Sequence, residues 1–214
     1  GVMAGGEHAL AEVVGATHGG VTTDEFAASV RAWVETARHP ETGRRYTEMV
    51  YAPMLELMDY LRSRGFEVYI VSGGGLDFMR VFAEEVYGVP PENVVGSRME
   101  VVYNADAEPP SLSKRAGLAF VDDKGGKPVG IHTHIGRRPV MAFGNSDGDY
   151  EMVRWTTSGG GPRLGAFVHH TDAEREWAYD RASHVGRLDR GLDEAAARGW
   201  IVIDMREDWI RVFP

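Results

Sequence analysis

The chain has 214 residues, 43% of them hydrophobic, and a formal charge of -9. That is enough apolar material for one sizeable core, with room for a small lobe beside it. The acidic balance excludes a nucleic-acid backbone as the main partner, because neutralising phosphates takes clustered Lys and Arg, and pairs such as Arg44-Arg45 and Arg137-Arg138 are too few. Cysteine is absent, which excludes disulfides, thiolate nucleophiles and Cys-based zinc sites. No apolar run approaches the length needed to cross a bilayer, so no membrane partner is expected. No signal peptide is visible, and a cytoplasmic home is the expectation, although a cysteine-free protein suits the outside of the cell equally. The opening, GVMAGGEHALAEVV, sets Met3 behind a glycine and a valine, as in a tag remnant or a cut through a longer chain.

Thr22 with Glu25 reads as a capping box, and Phe26, Val30, Trp33, Val34 and Ala37 follow at helical spacing. Pro40 and Gly43 break that helix. A second apolar stripe, Tyr51, Met54, Leu55, Met58 and Leu61, closes at Gly65. FEVYIV, residues 66 to 71, predicts a short strand, and the glycines after it lead to a helix carrying Phe78, Val81, Phe82 and Val86 that Gly88 stops. Residues 96 to 121, rich in Val, Tyr and turn formers, suggest a β-hairpin. PVMAFG, residues 139 to 144, predicts another buried strand, followed by a helix from about Asp149 to Trp155. LGAFVHH and GWIVIDM predict two more strands, with a helical stretch around DAEREWAYDRA between them. Strands that are almost continuously apolar and alternate with helices predict an α/β fold, a Rossmann-like parallel sheet with helices on both faces.

Ligands of such sheets bind at the carboxyl ends of the strands. Two strands end in unusual polar sequences there: VYIV in Ser72-Gly73-Gly74-Gly75, and VMAF in GNSDGDYEM. Glycines directly after a strand let backbone N–H groups turn toward an anion, and the serine hydroxyl adds a donor. An oxyanion cradle and a plain strain-relieving turn both fit this stretch. Asn145, Ser146, Asp147 and Asp149 crowd five positions with hard oxygen donors, which suit magnesium. A helix-capping turn rich in Asn and Asp is the competing reading. His132 with His134, and His169 with His170, lack the spacing of a zinc site.

The order strand-Ser-Gly-Gly, then a lysine, then strand-GNSDGD resembles the haloacid dehalogenase superfamily of aspartate-nucleophile phosphatases, in particular its phosphoserine-phosphatase-like branch. The resemblance runs from about residue 20 to the C-terminus. It implies a helical cap remnant over 1–62 and an α/β core over 63–214. It gives Ser72 a hydrogen bond to a phosphoryl group, with Gly73 and Gly74 beside it. It assigns a phosphate-neutralising lysine to Lys127, with Lys124 as the rival. Asp149 takes the second acidic position of the last motif, and Asn145 stands where that motif has its first acid. Asn145 and Asp149 are thereby the implied ligands of Mg2+. The family's nucleophile, in Asp-x-Asp-x-Thr/Val at the end of a first strand, has no match in this chain. Asp122 and Asp123, in LAFVDDKGG, come after the serine motif and read as a polar turn ahead of Lys127. The expected function is a magnesium-dependent phosphatase acting on a small phosphomonoester through an aspartyl-phosphate, with this chain inactive for want of its nucleophile. A non-catalytic phosphate-ligand binding protein of the same fold is the alternative, and a transferase or dehalogenase using the same aspartate chemistry is a third.

Overall fold

The computed structural model of the protein describes residues 19–214, so GVMAGGEHALAEVV lies outside the described residues. Helix α1 (Thr23–Thr36) starts at the capping box read from the sequence. Thr22 Oγ1 accepts from the Glu25 amide at 3.1 Å, and the Glu25 carboxylate accepts from the Thr22 amide at 2.9 Å. Its Phe26, Val30 and Val34 pack against Phe78, Val81 and Phe82. Helix α2 (Ala52–Ser63) ends just before Gly65, whose φ of 81° suits glycine alone. Met58 of α2 joins a cluster around Leu76, Val89 and Val94, while Met54 joins another around Val168, Met205 and Trp209.

Strand β1 (Ile70–Gly75) runs into two short helices, α3 (Leu76–Arg80) and α4 (Ala83–Tyr87), the latter closed by left-handed Gly88. β2 (Val94–Asn104) lies parallel to β1, and β3 (Ser111–Phe120) returns antiparallel along β2, making the hairpin. Then come α5 (Gly126–Ile135), β4 (Met141–Gly144), a 3-10 turn over Asp147–Asp149, α6 (Tyr150–Thr157) and β5 (Leu164–His169). The chain ends in α7 (Arg190–Arg198), β6 (Ile201–Asp204) and α8 (Met205–Asp208). β4, β5 and β6 form a parallel sheet with β5 in the middle. These parallel strands flanked by helices are the Rossmann-like arrangement expected.

The strands form two three-stranded sheets, β1-β2-β3 and β4-β5-β6. Among the described residues no ladder joins β1 to β4, so each keeps one edge without a strand beside it. The two halves still share a core. Val71 of β1 packs on the cluster of Ile131, Ala142, Val153 and Phe167, which spans α5, β4, α6 and β5.

Two expectations are corrected. The strand placed at 66–71 lies at Ile70–Gly75, with the glycines inside it. Its pairing with Val94–Ser97 of β2 carries it forward, and that approach is close: a Cβ on Gly96 would stand 2.9 Å from the Gly74 carbonyl oxygen. The stretch DAEREWAYDRA is a turn-rich loop rather than a helix. Long-range bonds of Arg175 hold it there. Its guanidinium pairs with Asp172 and donates to the carbonyls of Trp209 at 2.7 Å, Ile210 at 3.0 Å and Met205 at 3.1 Å. Those bonds outweigh a local helical preference.

Candidate active site

β1 and β4 end side by side, and their tips with the loop before α5 enclose a cleft of about 360 Å³. It is lined by Val71, Ser72 and Gly73 from β1, Asp123 and Lys127, and Phe143 to Ser146 with Asp149. The structure thus brings Ser72, Gly73, Lys127, Asn145 and Asp149 to one volume. Gly74 stays out of it, its amide turned back to Ser72 Oγ at 3.0 Å. The Ser72 hydroxyl accepts that bond and keeps its proton to donate. Ser97 of β2 props the same turn, donating to the Gly73 carbonyl at 2.8 Å.

Lys127 is buried in the first turn of α5, where its Nζ donates to the Val71 carbonyl at 2.8 Å and to Asp149 Oδ1 at 2.7 Å. An ammonium has three protons, so one remains for an anion in the cleft. Lys124, the rival, is exposed and does not line the cleft. The other oxygen of Asp149, Oδ2, accepts from the amides of Asn145 at 2.9 Å and Ser146 at 3.2 Å. Asp149 is therefore the anchor that aims Lys127 and folds the 145–149 loop. The fold leaves no spare room for it: a Cβ on Gly144 would lie 2.4 Å from the Asp149 Cβ.

Asp147 does not line the cleft. Its carboxylate caps α7, accepting from the amides of Gly191 at 2.9 Å and Arg190 at 3.1 Å, which is the capping reading of this loop for that residue. The sequence reading missed Asp123. β3 returns along β2 and delivers Asp123 to the cleft wall, so this residue is more than part of a polar turn. Asp123 lies so near the 145–149 loop that a Cβ on Gly148 would meet its Oδ1 at 2.5 Å. The apolar run LAFV ending in two acids was the available signal.

Asp122 behind it is fully buried, and neither carboxylate oxygen has a hydrogen-bond partner. Burial pushes its carboxyl up to about 6, against the pull of the nearby Lys127 ammonium. Gly130 of α5 packs directly over it; a Cβ there would stand 2.3 Å from Asp122 Oδ1.

Among the described residues no group of three or more His, Asp or Glu side chains is placed to hold a metal ion. The donors at the cleft suit magnesium in kind, however. Asp123 and Asn145, which line the cleft, both carry hard side-chain oxygens. Magnesium is commonly held by one or two such protein ligands plus water and phosphate oxygens. Of the histidines, His170 is buried against Glu176, and His132 and His134 are exposed on α5.

The sequence profile of the haloacid dehalogenase-like hydrolases matches residues 1–154. No curated protein matches the chain. Among solved structures, a conserved protein of unknown function from Anaerococcus prevotii DSM 20548 is similar, with a TM-score of 0.54 at 19% identity over 83% of this chain. The chain spans about half of that protein, 48% of its length. A phosphoserine phosphohydrolase-like protein from Francisella tularensis subsp. tularensis SCHU S4 gives a TM-score of 0.42 at 18% identity, covering 80% of this chain and 69% of its own.

Proposed function

Because the chain belongs to the haloacid dehalogenase-like hydrolases, we propose that its cleft receives the phosphoryl group of a small phosphomonoester, as part of a magnesium-dependent phosphatase site. The observation that carries this reading is the convergence of Ser72, Lys127, Asn145 and Asp149 on one cleft at two strand ends. The Ser72 hydroxyl and the Gly73 amide offer donors to the equatorial phosphoryl oxygens. The third Lys127 proton offers a charged one, already aimed by Asp149 and the Val71 carbonyl. Magnesium, when bound by Asp123 and Asn145, would neutralise phosphoryl charge. Residues 1–62 would act as the remnant of a substrate-selecting cap over a core of 63–214.

The nucleophile in this reading is an aspartate on a strand upstream of residue 1, since residues 1–18 hold no aspartate. The free edges of β1 and β4 favour that, since among the described residues each has a strand on one side only. A carboxylate oxygen of that aspartate forms a bond to phosphorus while the bond to the alcohol oxygen breaks. The alcohol leaves with a proton from a second acid. Water then attacks phosphorus, giving its proton to the second, now deprotonated acid, and the bond from the aspartate oxygen to phosphorus breaks to release orthophosphate and the free carboxylate. The described residues hold no Asp-x-Asp-x-Thr/Val, which favours a second reading, a phosphate-ligand binding protein without turnover.

The test is hydrolysis of a generic aryl phosphate in the presence of Mg2+. The 214-residue chain should show none, and the chain joined to an upstream strand ending in Asp-x-Asp should turn over. Turnover by the 214-residue chain alone overturns the missing-nucleophile reading. An upstream reading frame without such a strand, together with retained phosphate binding, decides for the binding protein.

A further inference from the structure

Asn145 sits where a phosphatase of this kind would carry an acid, and its side chain is held from behind by a line of buried polar groups. Glu176 begins the line. Burial pushes its carboxyl up, but bonds from His170, the Trp177 amide and the Tyr51 hydroxyl outweigh that and hold it below its ordinary value. As an ionised carboxylate it can only accept. It takes the Tyr51 hydroxyl at 2.9 Å, the Trp177 amide at 2.9 Å and His170 Nδ1 at 3.1 Å.

With its proton on Nδ1, facing an acceptor-only carboxylate, the His170 ring offers Nε2 as an acceptor. That ring is buried and clamped, stacked on Tyr179 at 4.2 Å between centroids and tilted against Tyr51 at 5.6 Å. The group facing Nε2 is Asn145 Nδ2, at 3.5 Å, and the same nitrogen lies 3.3 Å from the Tyr179 hydroxyl. Both amide hydrogens of Asn145 are thus directed away from the cleft, one to each acceptor. Among the described residues no donor reaches its carbonyl oxygen.

We infer that Glu176, His170 and Tyr179 are positioning residues that fix the Asn145 amide with its carbonyl oxygen toward the cleft, as a ligand for a divalent cation. The role of that oxygen rests on the phosphatase reading; the orientation does not. The arrangement gives an uncharged side chain the polarity that a carboxylate would present there. It also accounts for the bond that brings Tyr51, from far along the chain, to Glu176 in the loop that carries Tyr179.

The test is nitrogen NMR of the 214-residue chain at neutral pH. His170 should show a protonated Nδ1 and an unprotonated Nε2. One Asn145 side-chain amide hydrogen should exchange with solvent about three- to tenfold faster in Tyr179→Phe, which removes its acceptor. A merely structural His170 would not link the Tyr179 hydroxyl to Asn145 exchange. A proton on Nε2 would overturn the inference, because Asn145 would then have to turn its carbonyl to His170 and its NH2 to the cleft. Unchanged Asn145 exchange in Tyr179→Phe would overturn it as well. Adding orthophosphate and Mg2+ separates the two claims: a chain that binds neither but keeps this tautomer refutes the phosphatase reading and leaves the orientation standing.

Discussion

Replacing Asp122 by asparagine removes a carboxylate that folding buries without a hydrogen-bond partner among the described residues. The carboxyl rises from 3.8 to about 6 on folding, roughly two pH units. At about 1.4 kcal/mol per unit, ionising it in the folded protein costs on the order of 3 kcal/mol. The sign follows from the raised value. The folded state holds the proton more tightly than the unfolded chain, so the penalty is absent below pH 3.8, grows as pH rises and is complete above about 6. Asp122→Asn should therefore gain about 3 kcal/mol over the parent at pH 7.5 and nothing from this source at pH 3.5. Urea unfolding midpoints of both proteins at several pH values measure the difference. The asparagine amide brings its own burial cost, but that cost is the same at every pH, so the slope of the difference is the quantity to read. A difference that does not change between pH 3.5 and 7.5 would refute the reasoning, and so would one that grows toward acid.

Lys127→Met should destabilise the protein by about 3–5 kcal/mol, because it leaves Asp149 as a buried charge without its cation; thermal or urea unfolding measures this. Adding Asp149→Asn to that variant should recover part of the loss, and no recovery would mean that the pair is not coupled as the 2.7 Å contact indicates. Gly144→Ala drives a methyl to 2.4 Å from the Asp149 Cβ, so a loss of about 1–3 kcal/mol is expected, with weaker orthophosphate binding in the same variant.

What could be read from the sequence was local or periodic. The Thr22–Glu25 capping box, the stops at Gly65 and Gly88 and the apolar strands at 141–144, 164–169 and 201–204 all depend on near neighbours, and all appear where expected. The serine and GNSDGD tips were legible as a pair because strands of one parallel array end on one side. What escaped depended on distant partners. β1 was placed early because its register is set by β2, some twenty residues on. DAEREWAYDRA has helical composition, yet Arg175 ties it to carbonyls at 205–210. Asp123 looked like turn chemistry because only the return of β3 along β2 brings it to the cleft. Asp149 and Asn145 were read together as metal donors; what the sequence did not show is that Asp149 also bonds Lys127 and the loop amides, and that Asn145 Nδ2 lies beside His170 and Tyr179.

The central claim is that Ser72, Lys127 and the 145–149 loop form one receptor for a phosphoryl group. Isothermal titration of the 214-residue chain with orthophosphate, beside Ser72→Ala, tests it most directly. Ser72 is partly exposed at a strand tip, so its truncation should spare the fold. A hydrogen bond to a charged oxygen contributes about 1.5–3 kcal/mol, so the variant should bind orthophosphate roughly ten- to a hundredfold more weakly than the parent, at unchanged stoichiometry. Equal affinities in the two proteins, or no orthophosphate binding by the parent chain, would contradict the account.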